Sequence, residues 1–217
     1  MARIIKKRAS KESIAIIVDG KDEKWYISCV KKNYPCTAIK SMKIKPELPE
    51  RKKVQELFDL AESKLNEGYT FVILIIDLDE PLKDVIEYNK FKGLYGKYLL
   101  VQDDKLTGRQ KSKYGWMSKL LIIVNNPCLE CWYLLHFSKI TKFFANYQSL
   151  LLELKKIPIL SEYDKCEDYY NKKPNIYERL ESSLNDARNN AIQFNLDECK
   201  RQGCSEMNRL FDYFDEL

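Results

Sequence analysis

Thr70-Phe-Val-Ile-Leu-Ile-Ile-Asp-Leu-Asp79 is the stretch on which the fold turns. Phe71 to Ile76 is unbroken apolar sequence, with Gly68 before it and acid after it. A strand apolar on both sides must be covered on both faces, as the central strands of parallel sheets are. The same signature, an apolar run and then an acid, occurs at Ser13-Ile-Ala-Ile-Ile-Val-Asp-Gly20, and Leu120 to Val124 repeats the apolar part. Between the runs the period changes. Lys21 to Asn33 reads as a helix with Trp25, Cys29 and Val30 on one face. Arg51 to Glu67 places Val54, Leu57, Phe58, Ala61 and Leu65 at helical spacing, with Gly68 as its stop. Cys36 to Ile44 alternates and is expected to be a second strand, closed by Pro46 and Pro49. The first eighty residues thus read β-α-β-α-β, which predicts an α/β fold with a parallel sheet.

Farther on, Pro81 opens a helical pattern over Leu82 to Leu94 and Tyr98 to Val101 is expected to add a short strand. Gln102 to Lys119 reads as a polar, basic loop. After the Leu120 to Val124 strand, Asn125-Asn126-Pro127 is expected to open a helix with Pro at its first position. From there to Leu217 the patterns are helical, with breaks near Pro158, Lys172 to Pro174 and Gly203. The expected organisation is an α/β core over residues 10–135 and a C-terminal helical region over residues 136–217 packed on it.

Of the 217 residues 45% are apolar and 32% charged, a balance that excludes disordered and low-complexity classes. No apolar run approaches the ~20 residues of a membrane span. Met1 to Arg8 is basic without an apolar core, so no secretory signal is read there and a cytoplasmic location is expected. Seven cysteines without framework spacing fit reduced thiols. Cys128-x-x-Cys131 has no second pair to complete a zinc site and is read as two core thiols. His136 is the only histidine, so a metal would be held mainly by carboxylates.

Those carboxylates stand where the fold puts ligands. Open parallel sheets bind beyond the carboxyl ends of their strands, and Asp19, Asp77 and Asp79 follow two of the expected strands. Residues two apart share a side, so Asp77 and Asp79 can address one Mg²⁺ or Mn²⁺, with Asp19 beside them. Such an ion can activate water or polarise a phosphoryl oxygen. The plainer reading is that these acids only end strands and cap helices. No Gly-rich nucleotide-binding motif is present. Lys105, Arg109, Lys111 and Lys113 lie near Tyr114 and Trp116, a composition suited to nucleic acid; a solvated basic loop explains it equally well.

Four blocks resemble the RloB/AbiLii-like family, relatives of the Toprim nucleases. They are Ile16-Ile-Val-Asp-Gly-Lys-Asp-Glu-Lys-Trp-Tyr26, Ile75-Ile-Asp-Leu-Asp-Glu80, Asn126-Pro-Cys-Leu-Glu-Cys-Trp-Tyr-Leu-Leu-His-Phe137, and Asn185-Asp-Ala-Arg-Asn-Asn-Ala191 with Ser205-Glu-Met-Asn208. The third is the most specific. The resemblance implies a Toprim-like core and a metal-dependent nuclease acting on RNA, tRNA included, or on DNA, as an effector of abortive infection in anti-phage defence. It implies Mg²⁺ or Mn²⁺ on Asp77 and Asp79, with Asp19 where the family carries Glu, and Glu23 at the family's second Glu. Glu130 and His136 fall in the third block; six residues apart on a helix, they point about 120° apart. An OLD-like AAA ATPase partner is also implied, and a homodimer is left open. The competing reading is a non-catalytic interaction or nucleic-acid-binding subunit on the same scaffold.

Overall fold

The computed structural model describes residues 13–36, 39 and 53–217. Four strands form one sheet in the order β1 (Ile14–Ile17), β2 (Phe71–Asp77), β3 (Leu120–Asn126), β4 (Cys204–Ser205). β1, β2 and β3 run parallel, with Ile16 opposite Ile73 and Ile75 opposite Ile123; β4 is antiparallel to β3. The expected α/β class holds: a mostly parallel sheet with helices on both faces, as a Toprim-like core requires. The strand expected over Cys36 to Ile44 falls almost wholly outside the described residues, as does the basic N-terminus.

α1 (Lys21–Asn33) and α2 (Val54–Asn66) follow β1, and α3 (Val85–Gln102) and α4 (Gly108–Tyr114) lie between β2 and β3. After β3 come α5 (Glu130–Leu135), α6 (Tyr147–Leu154), α7 (Glu167–Asn171), α8 (Ile176–Leu180) and α9 (Leu184–Asn190), then α10 (Asn208–Asp215) beyond β4.

The two-residue period of each strand divides the core in two. Ile14, Ile16, Ile73, Ile75 and Ile123 pack with Tyr26 and Val30 of α1, Trp132 of α5 and Phe211 of α10. Ala15, Ile17, Val72, Leu74, Ile76, Ile122 and Val124 pack with Leu57 and Phe58 of α2 and Phe91 and Tyr95 of α3. Every β2 side chain from Val72 to Ile76 is fully enclosed, which is why that stretch reads as continuous apolar sequence. The Trp132 indole N–H donates to the Tyr26 hydroxyl at 2.7 Å and its ring stacks on Phe211. Truncating such a residue costs about 3–5 kcal/mol.

Four expectations need correcting. Tyr98 to Val101 is helix, because Phe91, Tyr95 and Tyr98 at i, i+4, i+7 bury one face of α3. The span Gln102 to Lys119 holds α4 and a 3₁₀ turn over Gly115–Lys119; α4 buries no side chain, so no apolar stripe announces it. Pro127 precedes α5 by three residues rather than opening it. Its carbonyl accepts the N–H groups of Leu78 and Asp79, both at 2.9 Å, and so ties the end of β2 to the end of β3. Finally, the region read as helical after β3 contains β4, too short for periodicity to reveal. No helix among the described residues is long and apolar enough to cross a membrane.

Candidate metal centre

The parallel strands end together, and the acids beyond them come together with those of α1 and α5. Asp19 follows β1, and Gly20 then opens α1 with no side chain of its own. A Cβ on Gly20 would stand 2.2 Å from Glu23 Oε2, so the glycine leaves the room into which the Glu23 carboxyl folds. Glu23 is enclosed. Burial raises its pKa to about 7; a bond from backbone N–H opposes the rise, and Asp22, Asp19 and Glu130 add to it. Asp77 lies at the end of β2, where Oδ1 accepts the Asn125 side-chain amide at 3.0 Å and Oδ2 accepts the Leu129 N–H at 3.3 Å. Burial, then repulsion from Glu23, Asp19 and Glu130, pushes its carboxyl well above the usual range. A hydrogen-bonded relay from the sheet edge fixes it: the Ser205 hydroxyl on β4 donates to Asn125 Oδ1 at 2.6 Å.

Glu130, the first residue of α5, is fully buried. Its Oε1 accepts the Tyr163 hydroxyl at 2.6 Å and pairs with the Lys165 ammonium at 2.9 Å. Its Oε2 has no hydrogen-bond partner among the described residues. Lys165 also pairs with Asp22 at 2.9 Å and lies 4.2 Å above the centre of the Tyr147 ring. Burial disfavours its charge, but Glu130 and Asp22 outweigh that and hold it above the usual lysine range.

Asp19, Glu23, Asp77 and Glu130 therefore form one electrostatic unit. Asp79 stands at its margin: Oδ1 accepts the Glu80 N–H at 2.8 Å, burial raises its pKa, and Lys83 and, more weakly, Lys165 act against the rise. It is not among the groups that chiefly perturb Asp77.

His136 is elsewhere. Its Nδ1 lies 2.9 Å from the Trp132 carbonyl and its ring packs edge-on to Trp132, so that burial lowers its pKa to about 4. Its acidic perturber is Asp186, not a member of the cluster. The turn between it and Glu130 carries it into the core, away from the carboxylates with which the same block places it in sequence. Lys105, Arg109, Lys111 and Lys113 lie at the opposite end of the sheet, before β3 begins, roughly 20 Å of strand from the carboxylates. Lys105 and Lys111 pair with Asp103 and Asp104, and Tyr114 and Trp116 pack partly into the core. Cys131 donates its thiol hydrogen to the Asn126 carbonyl at 3.1 Å, in keeping with a core thiol. The residues that sequence reasoning missed are Lys165, Tyr163, Asn125 and Asp22.

Over residues 14–213 the chain matches the family described as RloB-like protein. The chain belongs to the RloB-like protein family. No curated protein and no solved structure matches it. The match takes in all four quoted blocks up to Asn208, and in this RloB-like chain the first three meet at one place: Asp19 and Glu23, Asp77, and Glu130.

Whether these residues suit a hard divalent cation can be tested on their chemistry. The donors are all carboxylate oxygens, one of them buried with no hydrogen-bond partner among the described residues, and their mutual repulsion raises the cost of ionising Glu23 and Asp77, a cost that a cation would lower. In kind and charge they fit. Among the described residues no three His, Cys, Asp or Glu side chains converge closely enough to enclose an ion as they stand.

Proposed function

We propose that this RloB-like chain is a divalent-metal-dependent phosphodiesterase acting on nucleic acid. The observation that carries the reading is the group of buried Glu23, Asp77 and Glu130 with partly buried Asp19 at the carboxyl ends of parallel strands, where Glu130 Oε2 has no hydrogen-bond partner among the described residues. Buried like charges are costly unless a cation joins them. Asp77 and Glu130 would hold Mg²⁺ or Mn²⁺, with Asp19 and Asp79 at the margin and Glu23 beside them. The bound ion supplies charge stabilisation at a phosphoryl oxygen. The rest of the work falls to the chain. Asn125 and Leu129 keep the Asp77 carboxylate turned to one geometry. Glu23, with a pKa of about 7, is poised to take a proton from an attacking water or return it to the leaving oxygen. The family resemblance supplies the proposed setting, an effector of anti-phage defence working beside an OLD-like ATPase.

The test is incubation of purified protein with total RNA and with plasmid DNA, in Mn²⁺, in Mg²⁺ and in EDTA, beside Asp77→Asn. Metal-dependent products that Asp77→Asn lowers about 10³-fold support the reading and name the substrate class. Products that persist in EDTA sink it. One observation favours a second reading, a non-catalytic interaction subunit: Lys165 already pairs with Glu130 and Asp22. On that reading folded protein shows neither cleavage nor metal binding.

A further inference from the structure

Lys165 comes from outside the α/β core, in the segment between the 3₁₀ turn Pro158–Leu160 and α7. The same segment provides Tyr163, so both partners of Glu130 Oε1 come from one short piece of chain. The ammonium has three donors and no acceptor. It sits 2.9 Å from Glu130 and 2.9 Å from Asp22, with the face of Tyr147 on a further side. Each is a partner that a cation would choose. The side chain keeps 31% of its surface exposed while Glu130 keeps none, so Lys165 can swing toward solvent and Glu130 cannot. It also lowers the cost of ionising Asp79. One lysine thus serves three of the acids around the site.

We propose that Lys165 is the resident counter-cation of the acidic site and that an arriving divalent cation displaces it from Glu130. The inference rests on the metal reading above and adds what the metal must overcome. A divalent ion and an ammonium about 5 Å apart repel by more than a factor of ten in binding constant even at the dielectric of water. They therefore do not share Glu130. The device keeps the site folded without metal and makes the protein respond to divalent cation by releasing the 163–165 segment from the carboxylates.

The test has two arms, neither of which reads cleavage. In wild-type protein, acylation of lysines by an N-hydroxysuccinimide ester, read by peptide mass spectrometry, follows Lys165 with EDTA and with saturating Mn²⁺. Lys165 is expected to be protected in EDTA and to gain labelling at least fivefold in Mn²⁺, while exposed Lys155 does not change. Calorimetry with Mn²⁺ alone is then expected to give Lys165→Met an affinity at least tenfold tighter than wild type. If Mn²⁺ binds wild type but Lys165 labelling is unchanged or falls, the displacement is wrong and the metal reading stands. If neither protein binds Mn²⁺, both are wrong. The labelling arm uses only wild-type protein and decides the matter even if Lys165→Met does not fold.

Discussion

Glu206 and Glu130 are both wholly enclosed, and both lie against the carboxyl end of β3, yet their surroundings differ. Glu206 is satisfied. Its Oε2 accepts the Val124 N–H at 3.1 Å, its Oε1 accepts the Phe194 N–H at 3.2 Å, and Arg209 pairs with Oε1 at 3.3 Å. It completes the hydrogen bonding of the sheet edge where β4 ends. Around Glu130 one oxygen is crowded, the other has no hydrogen-bond partner among the described residues, and further carboxylates stand close by. Burial of an acid is common to both regions, so burial does not separate structure from chemistry. What separates them is whether the protein has supplied all the partners the charge needs.

Removing the satisfied acid gives the largest expected effect. Glu206→Ala leaves two backbone donors and a partly buried Arg209 without their acceptor and is expected to cost about 3–5 kcal/mol. Urea denaturation should show that loss equally with EDTA and with Mn²⁺; a loss that metal repairs would put Glu206 on the wrong side of the comparison.

The unsatisfied region should show in the pH dependence instead. The Glu23 pKa is raised from 4.5 to about 7. A carboxyl raised on folding holds its proton longer in the folded than in the unfolded chain. Metal-free stability is therefore greatest below pH 4.5 as far as this group is concerned, and falls as pH rises toward about 7. The integrated loss is about 3 kcal/mol. Glu23→Gln should flatten that slope in EDTA, and Mn²⁺ should flatten it in wild type. Equal slopes in variant and wild type would remove Glu23 from the strained cluster.

Ser205→Ala probes the link between the two regions, because the Ser205 hydroxyl holds the amide that holds Asp77. A stability cost of about 1 kcal/mol is expected with a loss of Mn²⁺ affinity of about tenfold. An unchanged affinity would mean that Asp77 needs no such support. The smallest effect is expected at the far end of the sheet. Lys111→Ala with Lys113→Ala should weaken nucleic-acid binding only a few-fold and lower the salt slope by less than about two. A collapse of binding would show that α4 carries the substrate after all.

What could be read from the sequence follows from what leaves a periodic or local trace. Phe71 to Asp77 announces a central strand because both its faces are covered, and Asp19, Glu23, Asp77 and Glu130 stand at strand ends or first helical turns, where position alone makes an acid suspect. Lys165 leaves no such trace. It is a single lysine in Asp164-Lys165-Cys166, and only the packing of the C-terminal segment delivers it to Glu130 and Asp22. β4 is two residues long, and its pairing with Asn125 spans eighty positions of chain. Asp79 lies beyond the end of β2, in a turn whose Leu78 and Asp79 N–H groups bond to the Pro127 carbonyl, a link no strand spacing announces. His136 lies in the most specific family block, and the same block also builds the core under Trp132.

The most direct test of the difference between the two glutamates is calorimetric titration of Mn²⁺ into wild type, Glu130→Gln and Glu206→Gln, each shown to be folded by its melting transition. The account predicts saturable binding by wild type and by Glu206→Gln, and none by Glu130→Gln, which should melt within a few degrees of wild type. Binding by Glu130→Gln with wild-type affinity, or no binding by wild type, would contradict it.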